Sequence, residues 1–237
     1  MPTVSVVIPA YNEHESIEGV IERVLAAPLL PGFDREVVVV DDGSVDRTWE
    51  RLQRFAHRAD VQIHRSATNA GKGSALRIGI ERARGDVVLV QDADMEYDPD
   101  DYPKLLAPIA SGQARVVYGS RFLGSIRGME AKYWLANRIL ALLVRVIYGF
   151  PITDEATAYK VFDAKLLKGI PLECRGFEFC PEVTAKLLRA GERIVEVPIR
   201  YEARTVAQGK KIRWRDAAIA AWTLVKYRSW SPAKAVR

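Results

Sequence analysis

Two hydrophobic periods alternate along the first half of this chain. Val4–Ile8, Glu36–Val40 and Asp86–Val90 are near-continuous apolar runs, the pattern of parallel strands buried on both faces. Between them lie segments of helical period: Ser16 to about Ala26, one beginning near Ser44, and Gly73–Arg84. A short strand at Val61–His64 precedes the last of these, and Val116–Tyr118 reads as a further strand. Strands alternating with helices predict an α/β fold, a mostly parallel sheet with helices on both faces. Asn12-Glu-His-Glu15 and Ser44-Val-Asp-Arg47 each offer an N-cap followed by acidic residues.

The second half has a different pattern. Met129–Tyr148 is long and amphipathic, with Leu135, Ile139, Leu142 and Val146 on one stripe and Arg138 and Arg145 a heptad apart on another. Phe177–Ala190 predicts a helix with Pro181 in its first turn, and Glu192–Ile199 a strand. Thr205–Arg215 is polar, basic and contains Gly209, as a mobile loop would be. Asp216–Trp230 predicts a closing amphipathic helix with Trp222, Lys226 and Trp230 on one face. The amphipathic segments suit a membrane surface, and equally packing on the sheet or a dimer interface.

Composition narrows this picture. At 237 residues and 49% apolar content the chain can bury a sizeable core, and no linker or repeat divides it. A net charge of +5 suggests anionic partners. No basic stretch interleaved with aromatics occurs in the N-terminal half, so nucleic acid is not among them. Cys174 and Cys180 have no nearby His and no second pair, which argues against zinc and for reduced, packed thiols in a cytoplasmic protein. The chain enters a strand directly after Met1, without a leader pattern. No uncharged apolar run reaches the ~20 residues that span a bilayer, so a soluble or surface-resting protein is expected.

The chemistry gathers at strand ends. The apolar run through Val90 stops at two carboxylates one residue apart, Asp92 and Asp94. Beyond a strand's C-terminal end they can face a hard cation, Mg²⁺ or Mn²⁺, and the diphosphate it carries. Alone, Asp-x-Asp reads as a solvated acidic turn; the neighbouring motifs change that. After the first strand, Tyr11 can cover a nucleobase and Glu13 can accept from a base or ribose. After the second, Gly43 permits close backbone approach, leaving Asp41 or Asp42 for a ligand and Ser44 or Asp46 for capping. Asn69-Ala-Gly-Lys-Gly-Ser74 is half of a P-loop, but Ser66 stands where the first glycine is required. Lys72 can still meet a phosphate or serve the helix start. No G-x-G-x-x-G follows the first strand, so a dinucleotide fold is not indicated.

The ordered set Pro9-Ala-Tyr-Asn-Glu13, Val40-Asp-Asp-Gly-Ser-x-Asp46, Asn69-x-Gly-Lys-Gly73, Gln91-Asp-Ala-Asp94, Gly119-Ser-Arg-Phe122, Thr153-Asp-x-x-Thr-x-Tyr-Lys160 and Gly209-Lys-Lys-Ile-x-Trp-Arg-Asp216 resembles the family 2 glycosyltransferases of GT-A fold. Within them it is most similar to dolichyl-phosphate and polyprenyl-phosphate mannose or glucose synthases. The resemblance implies one GT-A domain over 1–237, with a nucleotide-sugar-binding half at 1–122 and an acceptor or membrane-interface half at 123–237. It implies that Pro9, Tyr11, Glu13, Val40 and Asp42 hold the nucleoside of GDP-mannose or UDP-glucose. Asp92, Ala93 and Asp94 would hold the diphosphate, with Asp94 the principal metal ligand. Arg121 and Arg204, with Lys210 and Lys211, would face the sugar diphosphate and the acceptor phosphate. Glu96 departs from the mannose synthases, where Gln is usual; an acid there could be a further metal or sugar ligand, and it puts mannose specificity in question. The reaction implied is inverting transfer of a hexose to a polyprenyl or dolichyl phosphate. A phosphate acceptor is already anionic and requires no strong base. Asp154 is the candidate carboxylate if one is used, or else it bonds backbone or an Arg. The competing expectations are transfer to a sugar or small-molecule hydroxyl, which does need a base, and a nucleotide-binding regulator without catalysis.

Overall fold

The computed structural model describes residues 1–204 and 214–232. In chain order the elements are β1 (Thr3–Ala10), α1 (Ile17–Ala26), β2 (Asp34–Asp41), α2 (Thr48–Leu52), β3 (Val61–Arg65), α3 (Lys72–Arg82), β4 (Val87–Val90), α4 (Tyr102–Ala110), β5 (Val116–Arg127), α5 (Ala131–Tyr148), β6 (Lys160–Asp163), α6 (Ala164–Lys168), α7 (Phe179–Arg189), β7 (Ile194–Glu202) and α8 (Trp214–Lys226). The strands form one sheet in the order β3-β2-β1-β4-β6-β5-β7. β3, β2, β1 and β4 run parallel, as do β5 and β7. β6 is antiparallel to both of its neighbours.

Alternation along the buried strands distributes side chains to two cores. Val4, Val6 and Ile8 of β1 pack on one face with Ile17, Ile21 and Val24 of α1 and Leu105 and Leu106 of α4. Val7, with Val38 of β2, Val88 and Val90, packs on the other with Leu76 of α3, Leu167 of α6 and Val183 of α7. Fully burying one such side chain is worth about 1.5–3 kcal/mol, so both faces of the sheet are strongly specified. A third cluster joins α5, α7 and α8 through Leu140, Val144, Ala185 and Leu224.

Several expectations are corrected. The helix after β2 starts at Thr48, because Ser44 and Asn12 bond each other's loops: Asn12 N donates to Ser44 Oγ at 2.9 Å and Val45 N to Asn12 Oδ1 at 3.0 Å. β5 continues past Tyr118 to Arg127 across an irregularity between Ser120 and Ser125. α4 and β6 have no counterpart among the predicted elements. On α5 the inward side is Leu140, Ala141 and Val144, whereas Leu135, Ile139, Leu142 and Val146 face outward. Of the predicted Thr205–Arg215 loop, 205–213 lie outside the described residues and Arg215 is already in α8. α8 ends at Lys226, followed by a tight turn at Tyr227–Ser229. Pro232 shortly after suits that stop, and Trp230 folds back against the α7 side, with the Lys186 ammonium 5.8 Å from its ring.

Candidate active site

The chain steps outward from β1 through β2 and β3, then returns to the opposite side of β1 for β4. Such a reversal opens a crevice beyond the C-terminal strand ends, where open α/β sheets bind ligands. The loops after β1, β2 and β4, the turn before α3 and the end of β7 surround a cleft of about 430 Å³. It is lined by Pro9, Tyr11, Glu13, Asp42, Lys72, Asp92, Ala93, Asp94, Glu96 and Arg204, among others.

The backbone brings these groups together by specific ties. Asn12 adopts a left-handed turn at φ 49, a conformation Asn tolerates better than most residues. Ser16 Oγ donates to Ala93 O at 2.8 Å, joining the β1 and β4 loops. Asp42 accepts from Ala70 N at 3.0 Å and Gly71 N at 2.7 Å, which draws the turn before α3 into the cleft. Gly71 has φ 97, and a Cβ there would lie 2.4 Å from Arg175 O, so only glycine fits. Gln91 is buried between the strand and the acid pair; it accepts from Tyr102 and Tyr159 hydroxyls at 2.7 and 2.8 Å and donates to Asp92 O at 3.0 Å. The sequence places Ser16 at the start of a helix without revealing its tie to Ala93, and it gives Gln91 no separate role although an amide ending an apolar strand is itself a signal.

Two side-chain cations neutralise the acid pair. Lys72 Nζ lies 2.5 Å from Asp92 Oδ1, and Arg204 Nη2 lies 2.7 Å from Asp94 Oδ2. Arg204 Nη1 also reaches Glu13 Oε2 at 3.1 Å. Burial opposes both charges, but Asp92 beside Lys72 and Asp94 with Glu13 beside Arg204 outweigh it and raise both pKa values. Asp94 is pushed up to about 7, chiefly by burial and then by the charges of Asp92 and Glu96, with Arg204 pulling the other way. A carboxyl so disfavoured as an anion sits where further positive charge is wanted. Glu96 lines the cleft as well, and its oxygens accept from Arg204 N at 2.7 Å and Tyr201 Oη at 3.0 Å, strapping the end of β7 to the β4 loop.

Among the described residues no three acidic, His or Cys side chains converge into a ready-made metal cage. Mg²⁺ and Mn²⁺ suit a different arrangement, one or two carboxylates completed by substrate phosphates and water. Asp94 and Asp92, all-oxygen ligands already facing a guanidinium and an ammonium, fit that role.

Among the described residues, the candidates Val40, Arg121 and Asp154 do not line the cleft. Val40 is fully buried in β2, paired with Pro9 and His64 beneath the site. Arg121 lines a larger adjoining cavity of about 1200 Å³, which shares Lys72, Asp92, Glu96, Phe177 and Asp216 with the cleft. Asp154 is fully buried and held by Arg121, one of the two arrangements expected for it. Lys210 and Lys211 lie outside the described residues. The larger cavity is floored by Met129, Tyr133 and Leu140 around α5, Phe179 and Pro181 of α7, and Ala217 and Ala220 of α8.

The model of Glycosyl transferase family 2 matches residues 5–171. Over 214 residues the chain is 33% identical to a dolichol-phosphate mannosyltransferase of Pyrococcus furiosus, covering 87% of this chain and 58% of that protein. It is 33% identical to an undecaprenyl-phosphate mannosyltransferase of Micrococcus luteus, covering 86% of this chain and 85% of that one. A dodecaprenyl-phosphate galacturonate synthase of Rhizobium johnstonii is 28% identical over 84% of this chain and 59% of its own. The chain thus spans less than two thirds of two of these three relatives. Among solved structures, glucosyl-3-phosphoglycerate synthase from Mycobacterium tuberculosis, crystallised with Mn²⁺, UDP and phosphoglyceric acid, superposes with a TM-score of 0.73 at 24% identity over 96% of this chain and 79% of that one. That likeness establishes the shared GT-A fold.

Proposed function

Because the chain belongs to glycosyl transferase family 2, we propose that it moves a hexose from a nucleoside diphosphate sugar to a polyprenyl phosphate. The observation carrying this reading is the junction of two unlike cavities. A carboxylate- and cation-lined cleft beyond β1 and β4 opens into a larger space with an apolar floor between α5, α7 and α8. The first suits a nucleoside diphosphate sugar, GDP-mannose or UDP-glucose; the second suits an isoprenoid segment. The relatives' names support the acceptor class, since they include transferases acting on dolichol, undecaprenyl and dodecaprenyl phosphates.

In this reading Tyr11, Glu13 and Asp42 bind the nucleoside, and Lys72 and Arg204 bind the diphosphate as it leaves. A divalent cation, Mg²⁺ or Mn²⁺, held by Asp94 and Asp92, supplies further neutralisation of the leaving charge when bound. The acceptor phosphate attacks the anomeric carbon in line and inverts it. It is ionised near neutral pH, so no general base is required. That agrees with Asp154, whose carboxylate is committed to Arg121. No described helix is long and apolar enough to cross a membrane, and access to a lipid acceptor would come through a peripheral contact.

The test is transfer from GDP-mannose and from UDP-glucose, with Mn²⁺, to a short polyprenyl phosphate and to the matching polyprenol. Transfer to the phosphate alone is expected. Equal activity on the alcohol would overturn the phosphate acceptor and restore the hydroxyl-acceptor reading.

A further inference from the structure

Two arginines in this molecule hold carboxylates in opposite ways. Arg121 meets Asp154 as a fork, with Nε and Nη2 each 2.7 Å from a different carboxylate oxygen, in a pair with almost no solvent exposure. Arg204 gives Asp94 a single bond at 2.7 Å and divides its other contacts with Glu13, at 3.1 and 3.4 Å. Its Nε is buried without a partner among the described residues. The guanidinium is therefore shared between two carboxylates and incompletely satisfied by them. Its backbone is fixed independently, because Arg204 N donates to Glu96 Oε1 at 2.7 Å. The side chain can leave while the end of β7 stays in place.

We propose that Arg204 is an exchangeable counter-ion, seated on Asp94 and Glu13 until a divalent cation takes over Asp94. This rests on the reading above that such a cation binds at Asp94. A carboxylate oxygen engaged by a guanidinium is not available in full to a metal, so the two cations compete for one ligand. Once displaced, the guanidinium presents an unoccupied fork to phosphate oxygens, its preferred partners. Binding of the metal would thereby convert a residue that neutralises Asp94 into one that grips the donor. Glu96 is a positioning residue in this scheme, acting through the Arg204 backbone.

The competition is measurable without turnover. Mn²⁺ binding to the nucleotide-free protein, followed by the paramagnetic resonance of free Mn²⁺, should tighten about tenfold in Arg204→Ala, on the order of one charged hydrogen bond. Arg204→Lys, which cannot span both carboxylates, should tighten it by a smaller factor. Asp94→Asn introduced into Arg204→Ala should abolish the gain. Unchanged or weaker Mn²⁺ binding in Arg204→Ala overturns the exchange while leaving the metal assignment standing. Failure of every form to bind Mn²⁺, with UDP and GDP present as well as absent, overturns both. If Arg204→Ala does not fold, the Arg204→Lys comparison decides, and equal affinity there overturns the exchange.

Discussion

Arg121 binds Asp154 through three hydrogen bonds, two from its guanidinium at 2.7 Å and one from its own backbone N at 2.9 Å. Burial opposes the guanidinium charge, and Asp154 beside it more than compensates, holding the Arg121 pKa above its ordinary value. The pair anchors the middle of β5 to the segment before β6. Glu196 of β7 extends it, accepting from Asp154 N at 2.9 Å and Thr153 N at 2.7 Å.

Removing one partner strands a buried charge. Asp154→Ala is expected to destabilise the protein by about 3–5 kcal/mol, read as a fall in the denaturant midpoint. Asp154→Asn should be destabilising to a smaller degree, since an amide can still accept from Arg121. A full loss of transfer with unchanged stability would instead identify Asp154 as a general base.

The turn before α3 offers a second test. Gly71 has φ 97 and ψ 158, a region essentially restricted to glycine, where another residue costs of order 1–3 kcal/mol before any clash. In Gly71→Ala the added methyl also meets Arg175 O. The expected result is a lower melting temperature with a raised KM for the nucleotide sugar, because Asp42 and Lys72 both depend on this turn. Wild-type KM and stability together would show that the turn is dispensable.

Glu155 gives a pH signature. It is fully buried; one oxygen lies 3.4 Å from Thr184 Oγ1, and Oε2 has no partner among the described residues. Burial pushes its pKa up to about 7, with Lys160 opposing. The unfolded value is about 4.3, so the fold binds this proton more tightly than the unfolded chain does. The resulting stabilisation is complete below about pH 4.3, declines as pH rises and is gone above about 7. Glu155→Gln has no such proton, so its melting temperature relative to wild type should climb between pH 5 and pH 7. Parallel melting curves across that interval would exclude titration of Glu155 there.

Part of this architecture is legible in the sequence itself. Val37–Val40 and Val87–Val90 announce themselves because a strand covered on both faces carries few polar positions. The acids following them mark where the covering ends. Other features depend on partners distant in sequence. Asp154 and Arg121 are 33 residues apart and Glu96 and Arg204 are 108 apart, so no local pattern pairs them. β6 opens with Lys160, whose burial depends on the Glu155 carbonyl at 2.7 Å and the Tyr118 ring. α4 carries Pro103 in its first turn and Pro108 inside it, which masks its helical period. α5 is apolar on both sides, and periodicity alone does not say which side packs against α7 and α8.

That last ambiguity leads to the membrane test. The outward side of α5 leaves Leu142 57% and Val146 72% exposed, and neighbouring α8 leaves Trp222 65% exposed. Arg138 and Arg145 lie exposed on the same helix as the leucine stripe. Apolar side chains with flanking cations and an indole suit the interfacial layer of a bilayer, and each cation near an anionic surface adds about 1 kcal/mol. The same face could be covered by a second copy of the chain. Flotation with anionic liposomes should recover the protein at low salt and less of it at high salt, where the charge contribution is screened. Leu142→Ser combined with Trp222→Ser should reduce recovery at both salt concentrations while leaving the melting temperature unchanged, since neither side chain is buried. Absence of flotation at either salt, with a dimer whose mass falls on dilution, would assign the face to self-association and leave the lipid acceptor to reach the larger cavity by another route.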